Sequence, residues 1–210
     1  MAQERTDEEL LAAYQQGDTG AFELLLRRHR APLFSFLLRM LGDRERAEDL
    51  AQEAFLRIVK GAQAWEHRAR FQTWLFTIAR NLCVDASRRD RFRRADSLDQ
   101  TGPDDEPAMV DSVPGHEIDP SRGAESARLR PLLQKALLSL PTEQREVFIL
   151  REQAGVPFKE IAEMVGVNEN TVKSRMRYAL EGLRKALLAA GVDADTGADE
   201  PAPGVRLGRA

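Results

Sequence analysis

The chain has 210 residues and a formal net charge of −3, with 42% hydrophobic and 31% charged residues, a composition typical of a soluble globular protein. Its apolar runs are far shorter than the ~20 residues that cross a bilayer, and its acidic N-terminus lacks the apolar segment of a secretory signal, so we expect a cytoplasmic protein without direct membrane insertion. One cysteine, Cys83, and three histidines predict neither an internal disulfide nor a Cys/His metal cluster.

The charge is divided unevenly along the chain. Residues 1–94 carry a net charge of +3, residues 95–127 carry −8, residues 128–188 carry +4, and residues 189–210 carry −2. Two mildly basic blocks are therefore separated by a strongly acidic one, and this division says more about partners than the overall charge does.

The first block, residues 1–94, is predicted to be a compact helical domain. Breaks and caps are expected at Asp18-Thr19 and Gly42-Asp43, and alternating strand-like patterns are lacking. Three sets of apolar positions recur at helical spacing. They are Phe22, Leu25, Leu26, His29, Leu33, Phe36, Leu37 and Met40; Ala47, Leu50, Ala51, Ala54, Phe55 and Ile58; and Phe71, Trp74, Leu75, Ile78, Ala79, Leu82 and Ala86.

The acidic segment 95–127 contains TGPDDEP and VPGHEIDPSRG, which are rich in turn formers. It has almost no periodic apolar face, so it cannot bury enough surface to offset its ordering entropy. We expect a flexible, extended acidic linker.

Helical periodicity resumes in the second block, residues 128–189. One helix of about residues 129–140 is stopped by Pro141, and Thr142 is expected to cap the next. A short helix of residues 158–165 ends at Gly166, and Asn168 caps the last helix, which runs to about Ala189. The tail, residues 190–210, is predicted to be disordered. The fold class is therefore all-α, with two small helical domains on a flexible linker.

The segment FKEIAEMVGVNENTVKSRMRYALEGL has the pattern of a helix-turn-helix unit, a short amphipathic helix, a glycine turn and a capped second helix. Small and basic side chains on the exposed side of such a second helix suit the major groove of DNA. The alternative is a solvated amphipathic helix. Its predicted buried face is Val172, Met176, Ala179, Leu180, Leu183 and Leu187. Its predicted DNA-facing residues are Thr171, Ser174, Arg177 and Tyr178 on the outward side, with Lys173 and Arg175 at the edges of that side.

Three stretches together carry a family resemblance: AEDLAQEAFLRIVKG at 47–61, WEHRARFQTWLFTIARNLCVDASRRDRFRR at 65–94, and LPTEQREVFILREQAGVPFKEIAEMVGVNENTVKSRMRYALEGLRKAL at 140–187. They closely resemble the extracytoplasmic-function sigma factors of bacterial RNA polymerase, over roughly residues 7–94 and 128–188. The resemblance implies binding to core RNA polymerase and to the −10 and −35 elements of promoter DNA. It also implies inhibition by an anti-sigma factor as an expected partner.

The resemblance assigns roles to particular residues. The first block is expected to dock on the polymerase and to melt and capture the −10 element, with Trp65 helping to hold a flipped base, whereas the helix-turn-helix reads the −35 element. The polymerase-docking residues are Asp49, Gln52, Glu53 and Phe55, and the −10 residues are Trp65, Arg80, Asn81, Arg88, Arg89 and Arg91.

Two other classes of protein remain open from the residues alone. A stand-alone helix-turn-helix regulator would use its N-terminal helices for sensing or dimerisation and would need no polymerase. An enzyme is disfavoured, because the sequence has no Gly-rich phosphate loop and no nucleophile with a plausible histidine base. We therefore predict no catalytic residue and no cofactor.

Overall fold

The computed structural model of the protein describes residues 5–66, 69–96 and 120–192, of which residues 91–96 and 120–127 are described by their backbone alone. These ranges contain α-helices, one 3₁₀ turn at Ala62–Ala64 and no strand, so the all-α prediction is confirmed. The helices are α1 Asp7–Gln15, α2 Thr19–Leu41, α3 Arg44–Gly61, α4 Phe71–Asp96, α5 Pro120–Ser139, α6 Thr142–Glu152, α7 Phe158–Val165 and α8 Glu169–Ala189.

Side-chain caps fix where most of the early helices begin. Thr6 and Glu9 form a reciprocal capping box at the start of α1, with bonds of 3.2 and 2.8 Å. Asp18 and Asp43 accept backbone N–H bonds at the starts of α2 and α3. Because a capping oxygen satisfies an N–H that the first turn leaves unpaired, the predicted breaks at these two aspartates are confirmed.

The expected cap at Thr142 is wrong. Pro141 occupies the N-cap position of α6, with extended backbone angles and no side-chain hydrogen bond, and Thr142 is already the first helical residue. Proline has no side-chain oxygen that could accept an N–H bond from the first turn, and its ring fixes φ near the value that this position takes here, so the helix begins without a polar cap.

Helices α1–α4 form the N-terminal unit around an aromatic and aliphatic core. Phe36 and Phe76 are fully buried and meet edge-on, with ring centroids 5.2 Å apart. Most of the predicted apolar positions of α2 and α4 point into this core. The helical period therefore predicted the buried faces of the N-terminal unit well.

A polar cluster ties α1 to α2 inside this unit. His29 is buried, and its Nε2 lies 2.7 Å from Oδ2 of Asp7, while Arg28 approaches the other carboxylate oxygen. Burial by itself would raise the pKa of Asp7, but the hydrogen bonds and charges of His29 and Arg28 outweigh it and hold the pKa of Asp7 below 3.8.

Asp7→Asn is expected to lower the free energy of unfolding by about 1–3 kcal/mol at neutral pH, because a charged partner of a buried imidazole is lost. A group with a lowered folded-state pKa stabilises the fold above its unfolded pKa, and the stabilisation disappears as pH falls through the folded value. The difference between variant and wild type should therefore be constant above about pH 4 and shrink below it. Urea unfolding at a series of pH values measures this.

Glu23→Gln serves as the control for that series, because Glu23 forms only a 3.6 Å surface pair with Arg27 and both side chains are 73% exposed. Its effect should stay below about 0.5 kcal/mol at every pH. Wild-type and Asp7→Asn curves that remain parallel down to pH 2 would contradict the assignment.

Helices α5–α8 form the C-terminal unit. Val172, Met176, Ala179 and Leu183 of α8 are buried against α5, α6 and α7 as predicted, but Leu180 is 50% exposed. At 100° per residue Leu180 lies at the edge of the apolar face, next to the direction of Lys173. The prediction that Leu180 is buried is therefore wrong.

The two units pack on each other in the structure. Helices α5 and α6 lie against α2, and the buried residues of both units form one continuous cluster. The Gln134 side chain donates a 3.0 Å hydrogen bond to the carbonyl of Leu38 at the end of α2. Next to it, Gly42 ends α2 in the left-handed conformation (φ 74°), and the Leu138 side chain lies over it.

Most of the proposed acidic linker, residues 97–119, and most of the proposed disordered tail, residues 193–210, lie outside the described residues. Where the backbone is described, α4 continues to Asp96 and α5 begins at Pro120. The helices thus extend into both ends of the segment expected to be a linker.

Candidate DNA and polymerase interfaces

The helix-turn-helix of the C-terminal unit is built from α7, a glycine turn and α8. Gly166 ends α7 with φ 72°, which favours glycine. Oδ1 of Asn168 accepts a 2.8 Å bond from the N–H of Thr171 and caps α8. Both sequence predictions, the glycine stop and the asparagine cap, are confirmed. They orient α8 so that one face is buried and the other faces solvent.

The solvent face of α8 presents the side chains predicted to read DNA. Lys173, Ser174, Arg177 and Tyr178 are exposed, whereas Thr171 and Arg175 are half-buried. The hydroxyl of Thr171 is also engaged, since it donates a 3.0 Å hydrogen bond to the capping side chain of Asn168. Four of the six predicted residues are therefore presented openly on one helix.

Two cationic side chains on this face, Lys173 and Arg177, interact with neighbouring side chains of α8. Nζ of Lys173 lies 2.7 Å from Oε1 of Glu169 one turn earlier. The guanidinium of Arg177 stacks over the ring of Tyr178, 4.9 Å from its centroid, and donates a 3.2 Å bond to the phenol oxygen. Because stacking limits the rotamers of Arg177, less entropy is lost when the guanidinium bonds a base or phosphate.

One further candidate was missed by the sequence reasoning. Asn170 is exposed in the first turn of α8, and at 100° per residue it points between Ser174 and Arg177. An asparagine in this position can bond the edge of adenine bidentately. The helical period alone places Asn170 on the outward side of α8, but the prediction considered mainly the basic residues there.

The predicted −10 residues lie along α4 and just before it. Trp65 is half-buried, with its ring 6.1 Å from that of Trp74, and Gln15 donates a 3.1 Å bond to its carbonyl. Asn81 and Arg88 are exposed on the same side of α4. Trp74 and Arg88 are separated by about 21 Å at 1.5 Å per residue, so these residues could follow a strand of nucleic acid but cannot meet at one point.

Three of the predicted −10 arginines have different surroundings. Arg80 is only 21% exposed and forms an ion pair with Glu146 of α6. Arg89 is exposed and borders the groove between α3 and α4, so it lies on the side of the predicted polymerase-docking residues. The side chain of Arg91 lies outside the described residues.

Phe71 and Trp74, two of the apolar positions predicted for α4, belong to the core more than to the surface. Phe71 is 1% exposed, and its N–H donates a 2.9 Å bond to the Glu8 carboxylate. Trp74 is half-buried and packs against the core. Neither ring is presented as an open stacking platform.

The predicted polymerase-docking residues lie on α3 beside a groove of about 400 Å³. Asp49 and Gln52 are exposed, and Arg57 donates a 2.8 Å hydrogen bond to Glu53. That hydrogen bond and the nearby cations lower the pKa of Glu53. The Glu53 carboxylate is thus held in its ionised form, which suits a basic partner.

The structure adds two exposed apolar residues to this surface, and it places the predicted docking residue Phe55 partly in the core. Leu56 is 53% and Val59 is 38% exposed, and both point to the same side of α3 as Asp49 and Gln52. Phe55 is half-buried and packs against the core. The α3 surface therefore combines carboxylates with an exposed aliphatic patch, which the helical period could have revealed.

Cys83 belongs to none of these surfaces, because it is buried. It is 3% exposed, and burial together with the charge of Glu146 raises its pKa to about 12. It is a core residue, and a thiol in this setting is protonated and unreactive. Within the described ranges no group of three or more His, Cys, Asp or Glu could hold a metal ion, and no helix is long and apolar enough to cross a membrane.

Two family models match the chain, Sigma-70 region 2 over residues 25–93 and Sigma-70 region 4 over residues 130–183. The chain is 33% identical to the ECF RNA polymerase sigma factor SigM of Mycobacterium tuberculosis, over 88% of this chain and 86% of the relative. It is 30% identical to the ECF RNA polymerase sigma factor SigW of Bacillus subtilis, over 82% of this chain and 92% of the relative.

Among solved structures, the chain is similar to CnrH, determined in complex with the cytosolic domain of CnrY, with a TM-score of 0.60, 26% identity and coverage of 89% and 99% of the two chains. It also shares its fold with the sigma factor RpoE of Bartonella quintana, determined with the anti-sigma factor NepR, with a TM-score of 0.63, 24% identity and coverage of 80% and 96%.

Proposed function

As the chain belongs to the extracytoplasmic-function (ECF) sigma factors of RNA polymerase, it binds core RNA polymerase and directs promoter-specific initiation, and we propose how its residues divide this work. Residues 1–94 dock on the polymerase and open the −10 element, and residues 128–189 read the −35 element as duplex. The acidic segment 97–119 connects the two blocks, and residues 190–210 follow the second. The observation that carries this division is that two sigma regions match in order, the second ending in a helix-turn-helix with an exposed basic face.

In this proposal α3 docks on the polymerase through Asp49, Gln52 and Glu53, with the exposed Leu56 and Val59 adding apolar contact. Carboxylates steer and orient binding to a basic partner, and the aliphatic groups supply burial. Phe55 supports this surface from below, because it is half-buried and packs against the core.

We propose that Trp65, Asn81, Arg80 and Arg88 act at the −10 element. Separated strands expose bases that stack on aromatic rings and phosphates that bind cations. Trp65 lies just before α4 and Arg88 lies further along this helix. This order suits a single DNA strand that runs along α4. Arg89 contributes from the α3 side, and Arg91 extends the basic series beyond the described side chains.

We propose that α8 lies in the major groove of the −35 element. Lys173 and Arg177 reach guanine edges or phosphates, and Ser174 and Asn170 bond base edges at close approach. Tyr178 holds the guanidinium of Arg177 by stacking. Thr171 and Arg175, which are half-buried, support the first turns and contact the flanking phosphates.

The chain itself carries out no chemical step in this proposal, since bond formation belongs to the polymerase, and it acts in the cytoplasm. A further partner is proposed from the solved relatives: CnrH and RpoE were each determined with a bound partner, and the partner of RpoE is an anti-sigma factor. A protein of that kind, holding this chain away from polymerase, fits two units whose functional surfaces are separate.

Reconstituted transcription tests the proposal. Purified chain is mixed with core RNA polymerase and fragmented genomic DNA, and the 5′ ends of the transcripts are sequenced. We expect start sites that share two upstream sequence elements and depend on the chain, with only weak duplex binding by the chain alone. Tight sequence-specific binding without polymerase, and no transcript with it, would instead identify a stand-alone helix-turn-helix regulator.

A further inference from the structure

Two polar side chains of α1 reach the connection between α3 and α4 that carries Trp65. Glu8 and Gln15 are seven residues apart, which is close to two full turns, so they lie on the same face of α1 about 10 Å from each other. Both are half-buried, and Leu11 between them is fully buried in the core. Neither side chain belongs to the proposed DNA or polymerase surfaces.

Gln15 binds the start of this connection. Its Nε2 donates hydrogen bonds of 2.7 Å to the carbonyl of Ala62 and 3.1 Å to the carbonyl of Trp65. Because both partners can only accept, both hydrogens of the amide nitrogen are used here. The N–H of Trp65 in turn donates a 3.2 Å bond to the carbonyl of Ala62. Both backbone polar groups of Trp65 are therefore bonded, and the bond to its carbonyl comes from α1.

Glu8 binds the other end of the connection, where α4 begins. The first residue of α4 is Phe71, and the N–H of a first helical residue has no partner inside its own helix. The carboxylate of Glu8 accepts this N–H at 2.9 Å. A negative charge is also favoured at the N-terminal end of a helix dipole. The start of α4 is thus attached to α1 as well.

Helix α1 is itself fixed to the body of the N-terminal unit. Leu11 is buried in the core, and Oδ2 of Asp7 lies 2.7 Å from Nε2 of the buried His29 in α2. Because α1 is anchored in this way, the hydrogen bonds of Gln15 and Glu8 fix both ends of the connection relative to the core.

The ring of Trp65 is supported from a second direction. It lies beside the ring of Trp74, with centroids 6.1 Å apart and an angle of 36° between the ring planes. Trp74 in turn packs on the backbone of Gly61, where an added Cβ would lie 3.0 Å from Cζ2 of the indole. Trp65 is half-buried, so part of its surface stays open. The ring is therefore held in place and still accessible.

A fixed ring matters for the role proposed for Trp65. Trp65 lies between a 3₁₀ turn and α4, outside any helix, and such connections are more mobile than the elements they join unless they are bonded to them. Part of the binding free energy is lost when a base must first order a mobile ring, whereas a ring that is already ordered avoids this cost. Hydrogen bonds that fix Trp65 therefore strengthen its hold on an unstacked base.

We propose that Gln15 and Glu8 are positioning residues for capture of the −10 base, which hold Trp65 and the start of α4 in the receiving geometry without contacting DNA. The inference rests on the proposed function, in particular on the role of Trp65, and adds the part of the fold that makes Trp65 selective. Gln15 acts on Trp65 directly through its carbonyl, and Glu8 acts through the first turn of α4. Helix α1 thereby becomes part of promoter recognition.

Base preference in the assembled holoenzyme tests the proposal. Full-length variants are combined with core polymerase and bound to single-stranded oligonucleotides that carry the −10 sequence found by start-site mapping, with each base replaced in turn. Trp65→Ala identifies the position at which Trp65 discriminates, with an expected loss of about fivefold or more. Gln15→Met keeps the side-chain length and removes the donor, and it should lower discrimination at that same position by about three- to tenfold. Binding to core polymerase and discrimination at the other positions should stay unchanged.

Matched variants separate a positioning role from a loss of stability. Gln16→Met makes the same substitution at the next residue, which is exposed, and should keep full discrimination. Glu8→Ala removes the acceptor at Phe71 and should lower discrimination as Gln15→Met does, whereas Glu8→Gln keeps an oxygen that accepts the N–H and should retain most of it. A variant that only loosens the fold would weaken binding to every oligonucleotide and would not single out the Trp65 position.

The state of Trp65 is measured without DNA by fluorine NMR of the full chain labelled with fluorotryptophan. The chain has two tryptophans, so two signals are expected, and Trp65→Phe assigns them. Gln15→Met should shift the Trp65 signal towards its position in the urea-unfolded chain, and by more than it shifts the Trp74 signal, because the Trp65 ring becomes more mobile and better solvated. Gln16→Met should leave both signals in place.

The outcomes distinguish this inference from the proposed function. If Trp65→Ala lowers discrimination but Gln15→Met and Glu8→Ala leave it at the wild-type level, the positioning role is overturned and the role of Trp65 stands. If Trp65→Ala itself changes no base preference, the proposed −10 role of Trp65 is wrong and the inference falls with it. An unchanged Trp65 signal in Gln15→Met would also overturn the positioning role, even if that variant bound promoter DNA poorly.

Discussion

A chain that carries Asp49→Lys and Glu53→Lys is expected to lose its binding to core RNA polymerase while keeping its fold. Both carboxylates lie on the exposed side of α3, and neither is part of the core. Reversing two charges at the centre of a docking surface replaces attraction by repulsion, and misplaced like charges at an interface cost several kcal/mol. Co-purification with polymerase and circular dichroism melting measure the two halves of the expectation.

The fold should survive the change because only one local pair is lost. Glu53 accepts a hydrogen bond from Arg57 one turn later, and such exposed pairs contribute about 0.3–0.5 kcal/mol. Glu23→Lys with Glu152→Lys, exposed acids away from α3, changes the net charge equally and should leave polymerase binding intact. Undiminished co-purification of the α3 variant would reject this docking surface.

Lys173→Ala and Arg177→Ala are each expected to weaken recognition of the −35 element by ~1–3 kcal/mol, which is about 5- to 150-fold in affinity. Both side chains project from the exposed face of α8, and stacking on Tyr178 holds the guanidinium of Arg177. Holoenzyme binding to promoters with altered −35 bases distinguishes a base contact, which changes sequence preference, from a phosphate contact, which weakens all sequences uniformly.

Lys185→Ala is a closely matched control on the same helix. Lys185 forms a 2.7 Å ion pair with Glu181 one turn earlier, the same geometry that joins Lys173 to Glu169. Both substitutions therefore remove one charge and one i,i+4 pair, and their effects on helix stability should agree. If promoter affinity falls equally in the two variants, a specific reading role for Lys173 is untenable.

The sequence was sufficient for what depends on local chemistry. The aspartate caps of α2 and α3, the glycine stop after α7 and the Asn168 cap each follow from one side chain and its neighbours in the chain. The apolar period of α2 and α4 likewise predicted their buried faces. Predictions failed for residues at the edge of an apolar face, such as Leu180. Whether such a side chain is buried depends on how the neighbouring helices pack.

Contacts between distant segments could not be predicted in the same way. Nothing in the local pattern of α4 distinguishes Arg80 from Arg88, although the first is paired with Glu146 of another unit and the second is exposed. Arg89 was similarly grouped with the −10 residues, whereas it borders the α3 groove. Which partner a charged side chain meets depends on tertiary packing, and the residue type alone carries no such information.

Gly42 links the end of one helix to the association of the two units. Its left-handed φ angle ends α2, and a Cβ added there would lie 2.7 Å from Cδ1 of Leu138 in the other unit. Asparagine tolerates this backbone conformation better than other residues with a side chain do, but it would still displace Leu138. A substitution at this single position would therefore change how tightly the two units pack, while every residue proposed to contact DNA or polymerase stays unchanged.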